Sequence, residues 1–66
     1  MNPNIAAGKW KQMMGKAKQV WGNLTDDELK KAEGGVEELQ GILQEKYGRT
    51  RDAAQKEIDD FIKNYH

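Results

Sequence analysis

Six cationic side chains stand out by their spacing. Lys9, Lys11, Lys16 and Lys18 lie near the start of the chain, and Arg49 and Arg51 flank Thr50. Side chains of this type suit the holding of phosphate or another anion, through contacts that weaken as salt rises. The four lysines fall in residues 1–25, which contain no acid and carry a net charge of +4. Residues 26–66 hold seven Lys or Arg against eleven Asp or Glu, a net of −4, so the whole chain is neutral. The plainer reading of this asymmetry is intramolecular, a basic segment drawn to acidic ones. The sharper reading is an anionic partner for the basic end.

Bond-making chemistry has little to work with. The chain has no Cys and no Ser, and its one His is residue 66, at the end. That excludes the usual kind of zinc site and any thiol or hydroxyl nucleophile paired with an internal imidazole. Two carboxylate runs remain, Asp26-Asp27-Glu28 and Asp59-Asp60. The first suits a helix start and the second a solvated helix face. The glycines recur at intervals of seven, which matches no phosphate-binding loop. No catalytic, metal or cofactor residue is therefore assigned, and the residues point away from an enzyme.

Sixty-six residues make one domain, taken as 1–66, near the lower limit at which a core sustains itself. A third of the residues are charged, and no apolar run is long enough to span a membrane or resembles a signal peptide. The expectation is a cytoplasmic, monomeric protein.

Four helices are expected to position these groups, over residues 4–21, 26–33, 36–47 and 51–64. Asn2-Pro3 suits the start of the first, with Pro at the opening helical position. Trp10, Met13, Met14, Ala17, Trp21 and Leu24 follow at steps of three and four and form one apolar stripe. Gly22 is read as a left-handed stop. Thr25-Asp-Asp-Glu28 is a capping box for a short helix with Leu29 and Ala32 inward, broken by Gly34-Gly35. The third stripe is Val36, Leu39, Ile42, Leu43 and Tyr47, stopped by Gly48. Thr50 opens the fourth helix, whose inner face is Ala54, Ile58, Phe61, Ile62 and Tyr65. The first stripe, flanked by lysines, also has the character of a helix lying on a membrane surface. The core needs the same side chains, so membrane binding would require the domain to open.

The chain repeats itself. A shift of 26 residues places Trp10 on Val36, Met13 on Leu39, Gly15 on Gly41, Trp21 on Tyr47 and Gly22 on Gly48. Each copy is a long helix, an aromatic-glycine stop, a short loop and a Thr-capped helix. Two such hairpins facing each other bury both stripes in one core. Gly15 and Gly41 fall mid-helix, where each costs about 1 kcal/mol against Ala. Their matched positions suggest either close approach by another backbone or deliberate weakness.

The run "GKWKQMMGKAKQVWGNLTDDEL", followed by "EGGVEELQGILQEKYG", resembles the CsbD-like family of small bacterial stress-response proteins. Gly8 to Gln12, Gly15, Lys16, Lys18, Trp21, Gly22, Leu24 to Asp27 and Leu29 carry the first part of that pattern. Glu33, Gly34, Leu39, Gly41, Gln44, Tyr47 and Gly48 carry the second. Met13-Met14 depart from the Leu or Phe followed by Lys that is typical there. The resemblance implies an all-α domain of four helices, in a SAM-like or doubled helix-hairpin-helix array, and production under general stress. It supplies no catalytic residues.

Two functions follow as expectations. The first is a non-enzymatic protective or protein-interaction module. The alternative is weak nucleic-acid binding through Lys9, Lys11, Lys16, Lys18, Arg49 and Arg51, with the hairpin from Gly48 to Arg51 presenting backbone amides. The carboxylates of "NLTDDE" and the zero net charge oppose the latter.

Overall fold

Apolar steps of three and four become helices wherever the sequence marks them, and the computed structural model describes residues 6–64. In order these are α1 (Ala7–Met14), α2 (Ala17–Val20), α3 (Asp26–Ala32), α4 (Val36–Tyr47) and α5 (Arg51–Asn64). No strand occurs among the described residues. Pro3, Tyr65 and His66, and the expected helical residues 4 and 5, lie outside them.

The first long helix differs from its sequence expectation. It begins at Ala7, since Ala6 is extended (φ −62°, ψ 145°), and it divides at Gly15-Lys16 into α1 and α2. The cause is a tightened turn. The Gly15 N–H donates to Gln12 O at 3.2 Å and the Lys16 N–H to Met13 O at 2.9 Å, one residue short of the α-helical step. A side chain on Gly15 would place its Cβ 3.2 Å from Gln12 O, so the glycine permits the tightening. The chain re-enters a helix at Ala17 with its stripe intact. Trp10, Met13, Met14, Ala17, Trp21 and Leu24 are all buried.

Gly22 is not left-handed. Among the described residues only Gly35 (φ 145°) and Gly48 (φ 65°) have positive φ. The chain leaves α2 one residue earlier, at Trp21 (φ −116°, ψ 80°), and the Leu24 N–H closes a turn onto Trp21 O at 3.1 Å. Gly48, by contrast, ends α4 in the left-handed conformation expected of it.

The two threonines open their helices. Thr25 Oγ1 accepts from the Glu28 N–H at 3.1 Å, and Glu28 Oε1 accepts from the Thr25 N–H at 2.9 Å, completing the capping box. Thr50 Oγ1 accepts from the Ala53 N–H at 3.1 Å.

α4 packs along α3 on one side and along α5 on the other. Leu39, Ile42 and Leu43 of α4 meet Ala54, Ile58 and Phe61 of α5 and the stripe of α1 and α2 in one cluster, with Leu29, Val36, Tyr47 and Ile62 packed at its margin. The radius of gyration, 10.6 Å, rules out an extended helical pair for a chain of this length. The Trp10 indole N–H donates to Ala32 O at 2.7 Å. That carbonyl closes α3 and also accepts from the Gly35 N–H at 3.1 Å in the turn that follows, so Trp10 ties α1 to the end of α3.

Candidate functional site at the two aromatic-glycine loops

The matched stops of the repeat come together. Tyr47 precedes Gly48 and Trp21 precedes Gly22, and each aromatic ring reaches toward the other repeat. The Tyr47 hydroxyl accepts from the Asn23 N–H at 3.3 Å. The Trp21 ring packs against Phe61 of α5, with centroids 5.2 Å apart and planes inclined by 59°. Its indole N–H donates to Glu57 Oε1 at 3.0 Å. The second oxygen of Glu57 accepts from Arg49 Nε, and the Arg49 guanidinium lies over the Tyr47 ring, 5.7 Å from its centroid. One carboxylate on α5 thus holds the end of α2 and the loop after α4.

This arrangement changes the standing of the expected anion contacts. Arg49 is one of the six residues of the nucleic-acid alternative. Its side chain keeps 44% of its exposure, its Nε meets Glu57 Oε2 and its guanidinium carbon lies over the Tyr47 ring. Arg51 stands exposed at the first residue of α5. Lys9 and Lys11 of α1, Lys16 at the tightened turn and Lys18 of α2 all occupy exposed positions. Lys18 also approaches Asp26 at 3.6 Å, with both groups largely in water. The lysines lie exposed on α1, α2 and the turn between them, and Arg49, also exposed, pairs with Glu57 beside Tyr47.

Glu28 and Asp59 of the two carboxylate runs serve the fold. Glu28 Oε1 takes both the Thr25 N–H and the Lys46 ammonium, the latter at 2.7 Å. The Lys46 hydrogen bond, followed by that of the Thr25 backbone, holds the Glu28 carboxyl below its ordinary value. Asp59 accepts from the Gln55 amide at 2.8 Å, while Asp60 is exposed. No group of three or more His, Cys, Asp or Glu placed to hold a metal ion occurs among the described residues.

Two features escape a reading of the sequence. Gln40 is buried to 7% exposure and donates to Gln55 Oε1, while the Gln55 amide continues to Asp59, so a polar ladder crosses from α4 to α5. The signal was Gln40 lying beside Leu39 in the stripe of α4, with Gln55 and Asp59 one turn apart beside the stripe of α5. Glu57 carries no signal at all. Its partners are 36 and 8 residues away, and only the folded chain brings them to it.

Buried and exposed residues alike carry the pattern that makes the sequence recognisable. The pattern of the family described as CsbD-like matches residues 4–56. The chain belongs to the CsbD-like family. Its relatives include a UPF0337 protein of Bordetella pertussis, 57% identical over 62 residues, which covers 94% of each chain. A UPF0337 protein of Pseudomonas aeruginosa is 51% identical over 61 residues, 92% of this chain and 94% of the relative. The UPF0337 protein YjbJ of Escherichia coli K12 is 48% identical over 61 residues, 92% of this chain and 88% of the relative. No solved structure matches the chain closely enough to be counted as similar. Within this CsbD-like domain, Trp10, Trp21, Leu24, Thr25, Leu39, Tyr47 and Gly48 all serve folding, as core, cap or helix stop. The lysines of the family pattern, Lys9, Lys11, Lys16 and Lys18, stay exposed on α1, α2 and the turn between them.

Proposed function

We propose that this chain is a non-enzymatic stress-response protein that acts through reversible surface contacts with other proteins, as a protectant or interaction module. The observation that carries this reading is the mutual engagement of the aromatic and charged residues at the two loops. Trp21, Glu57, Arg49, Tyr47 and Asn23 bind one another across the repeat. What faces outward is a set of Lys, Gln and Glu side chains suited to weak, salt-sensitive contact. None of the helices of the described residues is long and apolar enough to cross a membrane, and the reading places the protein in the cytoplasm. It also retains the doubled helical-hairpin arrangement, which the meeting of the two aromatic-glycine loops supports.

The test is suppression of aggregation. A heat-labile reporter enzyme warmed with increasing amounts of this protein should scatter less light in a dose-dependent way. Protection should weaken when Lys11 and Lys18 are both replaced by Glu. No suppression at any ratio, together with an unchanged stress survival of a deletion strain, would overturn the reading.

Nucleic acid is the second reading. It is favoured by the stretch 6–25, which has no acid and shows all four lysines at exposed positions. With Arg49 engaged by Glu57, binding would rest on the lysines and Arg51. Anisotropy of a short labelled duplex at low salt tests it, and loss of binding on Arg51→Glu would support it.

A further inference from the structure

The two copies of the repeat present faces of opposite charge to the outside. Along one line of α1 and α2 the exposed residues are Lys11, Gln12, Gly15, Lys18 and Gln19. A shift of 26 residues carries that line onto Glu37, Glu38, Gly41, Gln44 and Glu45 of α4, all exposed or half-exposed. The first line is basic and the second is acidic, each with a glycine at its middle. Gly41 has no reason within one molecule. A Cβ there would meet no atom within 4 Å, so nothing in the fold requires its absence, although any ordinary residue would favour the helix more.

We infer that two copies of this chain associate head to tail, the outer face of α1 and α2 in one copy lying along the outer face of α4 in the next. Opposite charges at matching intervals draw the faces together. Gly41 on one side and Gly15 on the other let the helices approach more closely than larger side chains would allow. Charge complementarity identifies the occupant. A nucleic acid would use the basic face and be repelled by the acidic one. A second copy uses both, and a chain of zero net charge has no overall repulsion to hold its copies apart. Because the two faces differ, the contact is heterologous, and every copy can receive one neighbour and offer itself to another. Dilution or high salt returns the monomer expected from the sequence.

The inference stands apart from the protective reading, because it is read from mass alone with no client present. Sedimentation of the full chain at about 0.01 M and about 1 M ionic strength is the experiment. The weight-average mass should rise with concentration at low salt. The association constant should fall by about tenfold or more at high salt, as expected of several exposed ion pairs acting together. Lys11→Glu with Lys18→Glu should abolish association, and so should Glu37→Lys with Glu45→Lys. Mixing the two double variants should restore it, since each then supplies the charge that the other lacks. Far-UV circular dichroism establishes that both variants are folded, and recovery on mixing cannot come from misfolding. A wild-type chain that stays monomeric at every concentration at low salt overturns the proposal. So does association that survives both charge reversals. A monomer that binds a short DNA duplex at low salt, with binding lost on Lys11→Glu and Lys18→Glu, would assign the basic face to nucleic acid instead.

Discussion

Gly15 and Gly41 occupy equivalent places in the repeat, yet their surroundings differ. The sequence leaves the same two explanations open for both, and the structure tells the two sites apart. Gly41 sits within α4 with open space around it. Gly41→Ala is therefore expected to raise stability by about 1 kcal/mol, through helix propensity and a less flexible unfolded chain. Gly15→Ala should gain less, because its Cβ would press on Gln12 O in the tightened turn. Urea denaturation of the two single variants checks this, and equal gains would show that the turn widens freely. Glu28 gives a pH dependence. Its carboxyl is held below the ordinary value by the Lys46 hydrogen bond and then the Thr25 backbone. Its contribution is complete above the unfolded carboxylate's value and is lost as pH falls through the lowered folded one. Lys46→Met should thus lower the melting temperature at neutral pH, and the difference from wild type should shrink in acid. A difference that does not vary with pH would remove the ion pair as its source.

At the scale of the elements, α2 is the weakest member. Four residues cannot sustain a helix by themselves, so α2 persists because Ala17 and Trp21 are anchored in the core. Trp21→Ala removes the Phe61 contact and the indole bond to Glu57, and should cost about 3–5 kcal/mol. In a domain this small the loss could exceed the whole stability. Thermal unfolding decides the matter, and a variant that melts like the parent would refute the assignment. The burial of the stripes was legible in the sequence because helical periodicity alone determines which side chains share a face. Trp10, Met13, Leu39, Leu43, Ile58 and Phe61 are buried as their spacing requires. The Thr caps were equally legible, since a cap involves residues three apart. The division at Gly15 was not, because one glycine in a helical pattern is compatible with a continuous helix or a broken one. Nor was the stop at Trp21, where a tertiary anchor extends the chain one residue before the glycine. The role of Glu57 was hidden for the same reason, and with it the pairing of Arg49.

For the whole molecule, the ties that matter cross from one repeat to the other. Trp10 bonds to the end of α3 within the first repeat, but Trp21 finds Phe61 and Glu57, and Asn23 finds Tyr47, in the second. Neither half buries its stripe alone. A peptide of residues 6–34 and another of residues 35–64 should each be largely unstructured in isolation and regain helix when mixed at equal concentrations. Circular dichroism of the mixture against the sum of its parts measures this. A half that is already helical and melts cooperatively alone would contradict the dependence of each repeat on the other.

The meeting of the two aromatic-glycine loops also bears on descent. If the repeat arose by duplication, a half-length forebear carrying one aromatic-glycine stop would have had no partner for its ring inside its own chain. The partners would have come from a sister molecule, as Phe61 and Glu57 of the second repeat now serve Trp21, so the forebear would have folded only as a symmetric pair. Fusion of two copies then made the pairing unimolecular and freed the halves to diverge. Trp at residue 21 against Tyr at residue 47, and Lys at residue 11 against Glu at residue 37, are differences of that kind. A synthetic chain with two identical copies of the first repeat would lack Phe61 and Glu57, which hold Trp21, and should melt below the natural chain. Its surface would be basic on both sides, and its copies would repel where those of the natural chain attract.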